Sequence, residues 1–195
     1  IETDEVLREA ELSQGGELVG RNLPIHRARV ESYLARRGFP SPVVAITTQP
    51  TDDPLRVVVM VDVASGTPRN LARRVFYVVG GDSREIGELA DAYPVKSGDR
   101  VDEIALTQAD TQFASYLRGR GWHRADVSHD VILQSGFVTV RVRVDSGAKV
   151  FPRFEGNEHY DADALTGALG LETETDRSPA NLARKVKDFY TKRGF

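Results

Sequence analysis

Four histidines are the residues in this sequence most suited to acid–base or metal chemistry, and they lie at His26, His123, His129 and His159. Their spacing fits no metal-ligand pattern, and the chain contains no cysteine. The absence of cysteine excludes disulfides, thiol catalysis and cysteine-based metal sites. We expect His26 to be a packing residue on a helix face and the other three histidines to be solvated.

The acidic pairs and glycine clusters also lack a catalytic context. Asp52-Asp53 and Asp102-Glu103 fall in a predicted hairpin connection and near a predicted helix start, where turn and helix-dipole chemistry explain them. Gly15-Gly16 and Gly80-Gly81 read as loop and turn positions. No nucleophile-elbow, P-loop or dinucleotide-binding motif occurs. The sequence therefore predicts a protein that is not an enzyme and uses neither a cofactor nor a metal.

Composition and charge narrow the class further. The chain has 195 residues, of which 40% are hydrophobic and 28% charged, with a formal net charge of -3. A net negative charge argues against general nucleic-acid binding, and no apolar run reaches the roughly 18 to 20 residues that span a bilayer. The chain begins at Ile1 rather than Met. We interpret it as a processed chain or a fragment whose targeting segment is not seen.

The elements that position these residues are repeated. Three segments end in Arg-Gly-aromatic, at Arg37-Gly38-Phe39, Arg120-Gly121-Trp122 and Arg193-Gly194-Phe195. Each follows apolar residues at helical spacing, which predicts a helix that ends at a glycine in the left-handed conformation.

The helix face is clearest in the middle copy. Leu106, Ala109, Phe113 and Leu117 follow the spacing that lines one side of an α-helix. In the first copy Leu23, Val30 and Leu34 take this face, with His26 at the place of Ala109. A shorter helix is predicted before each of these, near residues 3–12, 83–93 and 161–171. Ser83 and Asp161 are the predicted N-caps of the second and third of these short helices.

Strands follow two of the helix stops. Val138, Val140, Val142 and Val144 alternate with polar residues, which predicts a strand with one buried face. The matching inward positions of the first copy are Val57, Val59, Val61 and Val63. On its other face Val58 and Met60 predict cover by a neighbour or partner. A leading strand is predicted at Val75–Asp82 and again at Val150–Asn157.

The repeating unit is therefore strand, helix, helix, strand, strand, over about 75 to 80 residues. We divide the chain into residues 1–66, which lack the first strand, a complete unit at 67–148, and residues 149–195, which lack the closing hairpin.

This order resembles the POTRA (polypeptide-transport-associated) domain, and the stretch VDSGAKVFPRFEGNEHYDADAL (residues 144–165) resembles a junction between two such domains. The middle junction departs from that pattern, because it is longer and its turn reads Gly80-Gly81-Asp82. The resemblance implies an α+β fold of tandem units, each a three-stranded mixed sheet covered on one face by two helices. It also implies a BamA-type outer-membrane assembly factor of the surface antigen family. These units would lie in the periplasm of a Gram-negative bacterium, attached to the outer membrane through a C-terminal β-barrel.

The resemblance further implies a binding mode. The second strand of a POTRA unit is an edge strand that can accept an extended segment of an unfolded outer-membrane β-barrel protein. Accessory lipoproteins are the other implied partners. The implied client-binding residues in this sequence are, in the middle unit, Asp126, Val127, Ser128, His129, Asp130, Val131, Ile132 and Leu133, and in the first unit Val43, Val44, Ala45, Ile46 and Thr47.

Alternatives stay open at this point. Asp126, His129 and Asp130 could instead discourage pairing at the edge. The chain could also be the periplasmic passenger-recognition part of a two-partner secretion pore, or an envelope or cell-division scaffold. The sequence beyond Phe195 would separate these functions, since about 16 amphipathic strands would favour either barrel protein.

Overall fold

The computed structural model describes residues 2–81 and 83–195. Two residues lie outside the described ranges: Ile1, and Asp82, which is the last position of the predicted Gly80-Gly81-Asp82 turn. In chain order the elements are α1 (Thr3–Glu9), α2 (Leu23–Arg36), β1 (Val43–Pro50), β2 (Val57–Ala64), β3 (Leu71–Val79), α3 (Ser83–Glu88), α4 (Glu103–Arg118), β4 (Asp126–Gln134), β5 (Phe137–Asp145), α5 (Ala162–Leu169) and α6 (Pro179–Thr191). Short 3-10 turns precede α2 and follow α3.

The predicted α+β fold class is confirmed in the middle of the chain. There β3, α3, α4, β4 and β5 follow one another, and the three strands form one sheet in the order β3-β5-β4. The inward valines of the central strand, Val138, Val140, Val142 and Val144, are all buried. Alternation along β5 therefore identified the buried face correctly.

Helix α4 supplies the apolar layer for this region. Leu106, Ala109, Phe113 and Leu117 are all buried, as their spacing predicts. The ring of Phe113 lies edge-on to two other aromatic rings, with centroids 5.7 Å from Tyr93 and 6.0 Å from Phe76. Edge-to-face packing of this kind adds stability beyond burial alone.

The three Arg-Gly-aromatic segments end their helices in the same way. Gly38, Gly121 and Gly194 have φ values of 88°, 97° and 89°. In each case the N–H of the following aromatic residue donates to the carbonyl five residues back, at 3.0 to 3.2 Å. This is the Schellman arrangement, which requires a left-handed residue that glycine adopts without strain. The predicted helix stop is confirmed in all three copies.

Strands β1 and β2 form a two-stranded antiparallel sheet, with Val43 opposite Ala64 and Pro50 opposite Val57. A core cluster of Val6, Ala10, Val30, Tyr33, Leu34 and Val44 lies against it, with Ile46 and Val61 partly buried at its margin. The prediction for the inward valines of β2 is only partly correct. Val59 and Val61 are half-buried, whereas Val57 and Val63 are 48% and 40% exposed, because among the β2 residues it is Val61 that packs against the described cluster.

The predicted cover over the opposite face of β2 is not found within the described chain. Val58 is 50% exposed and Met60 is 38% exposed.

The third copy has its helices but not its leading strand. Helix α5 begins after Asp161, whose carboxylate accepts from the N–H of Ala164 at 2.8 Å, so this predicted N-cap is confirmed. Ser83, the other predicted N-cap, is instead the first residue of α3. The predicted strand at Val150–Asn157 is wrong, because no described strand pairs with it and Pro152 lacks the N–H that a ladder needs.

By its internal contacts the chain divides into two compact units. One comprises the chain up to Arg74 with Val95–Thr107 and Val131–Val140; the other comprises Val75–Pro94, Gln108–Asp130 and Arg141–Phe195. The unit boundaries drawn from the repeat, after residues 66 and 148, stay a prediction. Of the described helices, none has the length and apolar character to cross a membrane.

Candidate strand-binding edge

Strand β4 lies at an edge of the three-stranded sheet, since it neighbours only β5 in the order β3-β5-β4. All eight predicted client-binding residues of the middle unit, 126–133, belong to this strand. An edge strand has one side of its backbone unpaired, so its N–H and C=O groups can bond to another extended chain.

The first half of β4 alternates as a strand over a core should. Asp126, Ser128 and Asp130 are exposed, Val127 is buried and His129 is half-buried. Alternation does not continue beyond this point, since Val131 is 43% exposed and Leu133 is 55% exposed. The strand therefore has a fixed buried face over 126–130, and the apolar side chains of Val131 and Leu133 are available to solvent.

Helix α4 holds the beginning of β4 through one arginine. The Arg118 guanidinium donates from Nε and Nη2 to the carbonyl of Ala125, at 3.1 Å and 2.9 Å. Ala125 itself is fully buried, directly before the strand begins. Two bonds from one planar group fix orientation as well as position.

A second anchor is a polar cluster below the strand. Asp110 of α4 is 7% exposed and accepts from the Tyr93 hydroxyl at 2.8 Å. Its other oxygen lies 2.5 Å from Nδ1 of His129. The prediction that His129 is solvated is therefore wrong, and the side chain is directed to the core because a buried carboxylate needs a hydrogen-bond partner.

Sequence reasoning missed Asp110, Tyr93 and Arg118 as supports of the edge. One signal was present for Asp110. It lies four residues after Leu106 and three before Phe113, so it is a carboxylate on the apolar stripe of the helix. An acidic residue at such a position predicts a buried polar partner.

The other histidines have packing or surface roles. Nδ1 of His26 lies 2.6 Å from the carbonyl of Ala10, in agreement with the predicted packing role. Nε2 of His123 lies 3.0 Å from the carbonyl oxygen of Val150. The prediction that His123 is solvated is therefore wrong. His159 is exposed, although its ring lies near that of Phe195.

The second predicted edge, Val43–Thr47, lies within β1. Here Val44 is buried and Ile46 half-buried, while Val43, Ala45 and Thr47 are exposed. In a sheet of two strands each strand has only one neighbour, so one side of β1 is also open. This strand carries no ionisable side chain.

Helices α1 and α2, whose residues line the core beneath β1, are joined by a hydrogen bond between ionisable groups. The Tyr33 hydroxyl donates to Glu5 at 2.9 Å. This bond lowers the pKa of Glu5, while burial raises the pKa of Tyr33. The pair supports the helices and not the strand edge. Across residues 2–81 and 83–195, no three histidine or acidic side chains are placed so that they could hold a metal ion.

The element order of the middle region, strand, helix, helix, strand, strand, is the order predicted from the sequence. No protein-family model and no curated protein matches the chain. Among solved structures, POTRA3-5 of BamA from Haemophilus influenzae is similar over all of this chain and 81% of that one, with 18% identity and a TM-score of 0.43. The N-terminal domain of Omp85 from the thermophilic cyanobacterium Thermosynechococcus elongatus is similar over 97% of this chain and 79% of that one, with 12% identity and a TM-score of 0.38. POTRA1-3 of Omp85 from Anabaena is 14% identical, with a TM-score of 0.36, over 98% of this chain and 79% of that one.

Proposed function

We propose that this chain is a periplasmic POTRA segment that binds unfolded outer-membrane β-barrel proteins by strand addition and passes them to a membrane-embedded barrel. In this proposal an extended client segment pairs with β4 of the middle unit, and a second segment pairs with β1. The protein performs no catalysis. Its work is done by backbone groups at strand edges.

The observation that carries the proposal is the edge position of β4. Arg118 and Asp110 hold the strand from the side of the helices, so its backbone is ordered before any client arrives. A preformed edge needs no ordering of its own on binding, and only the client loses conformational freedom.

The expected affinity suits a transient client. Each added backbone hydrogen bond contributes only about 0.5 to 1.5 kcal/mol net. A handful of such bonds therefore gives weak binding with little dependence on sequence. Unfolded barrel proteins present many different strands of alternating hydrophobicity and must be released again, so weak and tolerant binding is what this task requires.

Peptide titration of the ¹⁵N-labelled chain tests the binding mode. We expect a peptide of alternating apolar and polar residues to shift the amide signals of Val127 to Leu133, with a second set of shifts at Val43 to Thr47. The control is the same peptide with every backbone amide N-methylated, which removes the donors of both its edges and leaves the side chains unchanged. Equal shifts with both peptides, or shifts confined to the helices, would contradict strand addition.

The remaining parts of the proposal are supported by the resemblance in the sequence. They are the docking of accessory lipoproteins, attachment to the outer membrane of a Gram-negative bacterium through a barrel of the same chain, and transfer of the client to that barrel. Co-purification of the full-length protein with lipoproteins from the outer membrane would test the first of these.

A further inference from the structure

The exposed face of β4 carries two negative charges at a fixed spacing. Asp126 and Asp130 are both exposed, and they lie four residues apart on the same side of the strand. At about 3.3 Å per residue, their Cα atoms are separated by roughly 13 Å. Between them on the opposite face lie buried Val127 and half-buried His129.

Neither charge is held in an ion pair with a described residue. Arg141 and Arg143 of β5 are exposed, yet within the described chain no ion pair joins either aspartate to an arginine or to any other cation. The side of β4 that faces away from β5 is the open edge. A strand that pairs there would place its own side chains beside Asp126 and Asp130.

We propose that the β4 edge selects extended segments that carry Lys or Arg at positions i and i+4 on one face and apolar residues on the other. This inference rests on the proposed function, because it assigns a preference to the same strand-addition site. Opposite charges on directly paired strands are stabilising, and like charges are destabilising. The apolar face of the same segment continues the buried side of the strand next to Val127.

Strand β1 provides an internal comparison. Its eight residues include no ionisable side chain, so a segment that pairs with β1 meets no matching charge along the strand. A preference for basic segments is therefore expected at β4 and not at β1. General attraction of a basic peptide to the chain, whose net charge is -3, would instead act on both edges.

Three peptides that differ only at positions i and i+4 test the preference. The pair of residues is Lys, Gln or Glu, and binding is measured on the full ¹⁵N-labelled chain from the amide shifts of β4 and β1. Two cross-strand ion pairs correspond to about a two- to thirty-fold tighter binding of the Lys peptide than of the Gln peptide at β4. We expect the Glu peptide to bind more weakly than the Gln peptide, and the differences to shrink as salt is added.

The variant Asp126→Asn/Asp130→Asn is expected to bind all three peptides with similar affinity. The control variant Glu158→Gln/Asp163→Asn removes the same number of exposed charges elsewhere and should keep the wild-type preference. Amide spectra of both variants establish that they fold.

The outcomes separate the two proposals. Equal binding of the Lys and Glu peptides at β4 would overturn the charge preference and leave strand addition in place. An equal preference at β1 and β4, or a preference that survives in the Asp126→Asn/Asp130→Asn variant, would also overturn it. Binding of none of the peptides would overturn both the preference and the proposed function.

Discussion

Phe113→Ala removes the central aromatic ring of the layer beneath the three-stranded sheet. The Phe113 side chain is fully buried, and its ring packs edge-on against Phe76 and Tyr93. Truncation of a buried phenylalanine costs about 3 to 5 kcal/mol, because apolar contacts are lost and a cavity remains. Small domains have only about 5 to 15 kcal/mol of stability in total, so this change removes much of it.

Urea unfolding measures this loss with a built-in reporter. Trp122 is the only tryptophan of the chain and is buried, so its fluorescence follows the region around it. With a slope of about 1 to 3 kcal/mol per molar urea, we expect the midpoint to fall by about 1 M or more. Phe137→Ala is the matched control, since that phenylalanine is 69% exposed on β5. A midpoint that is unchanged by Phe113→Ala, or lowered equally by Phe137→Ala, would refute the assigned core.

Three further perturbations test separate features. Gly38→Ala should destabilise the fold more than Gly98→Ala. Both glycines have positive φ, but only at Gly38 would the new Cβ lie 2.5 Å from a backbone oxygen. Urea unfolding of the two variants measures the difference. The Glu174 carboxyl should titrate near pH 2 by carboxyl NMR, because Lys185 donates to it and lowers its pKa to about 2. The resulting stabilisation of the fold is present above the pKa of this carboxyl in the unfolded chain and is lost as the pH falls towards 2. Glu174 should return towards its ordinary pKa in Lys185→Ala, and an unchanged pKa there would contradict the assignment. Asp110→Ala should speed amide hydrogen exchange in β4 and leave the exchange rates of β1 unchanged, because it removes the buried acceptor that binds Tyr93 and His129. Equal effects on both strands would show that these contacts do not support β4 specifically.

Features that depend on local physics could be predicted from the sequence. A helix that ends in Arg-Gly-aromatic needs a left-handed residue at the glycine, and all three copies adopt that conformation. Strict alternation along β5 likewise places every second residue, each of them a valine, in the core. The residues that make up each pattern lie within a few positions of one another in the sequence, so each pattern can be recognised without tertiary information.

Features that depend on distant partners could not be predicted in the same way. The segment Val150–Asn157 is predicted as a strand from its likeness to the segment at Val75, but a strand exists only where another strand pairs with it. The contact between His129 and Asp110 joins residues on different elements, and a histidine on an edge strand would ordinarily be assigned to solvent. The exposure of Val57 and Val63 depends on which β2 residues the helices contact, and no single segment encodes that.

The supports of β4 bear on how an edge strand can stay both open and ordered. An edge held only by its one neighbouring strand would be free to fray, and a frayed edge must be ordered again at each binding event. Here Arg118 binds the backbone just before the strand and Asp110 binds the His129 side chain, so both anchors come from helix α4. Neither anchor uses a side chain on the face that carries Asp126 and Asp130. The order of the strand and the chemistry it presents to a client are therefore set by different residues, and substitutions at one set should leave the other in place.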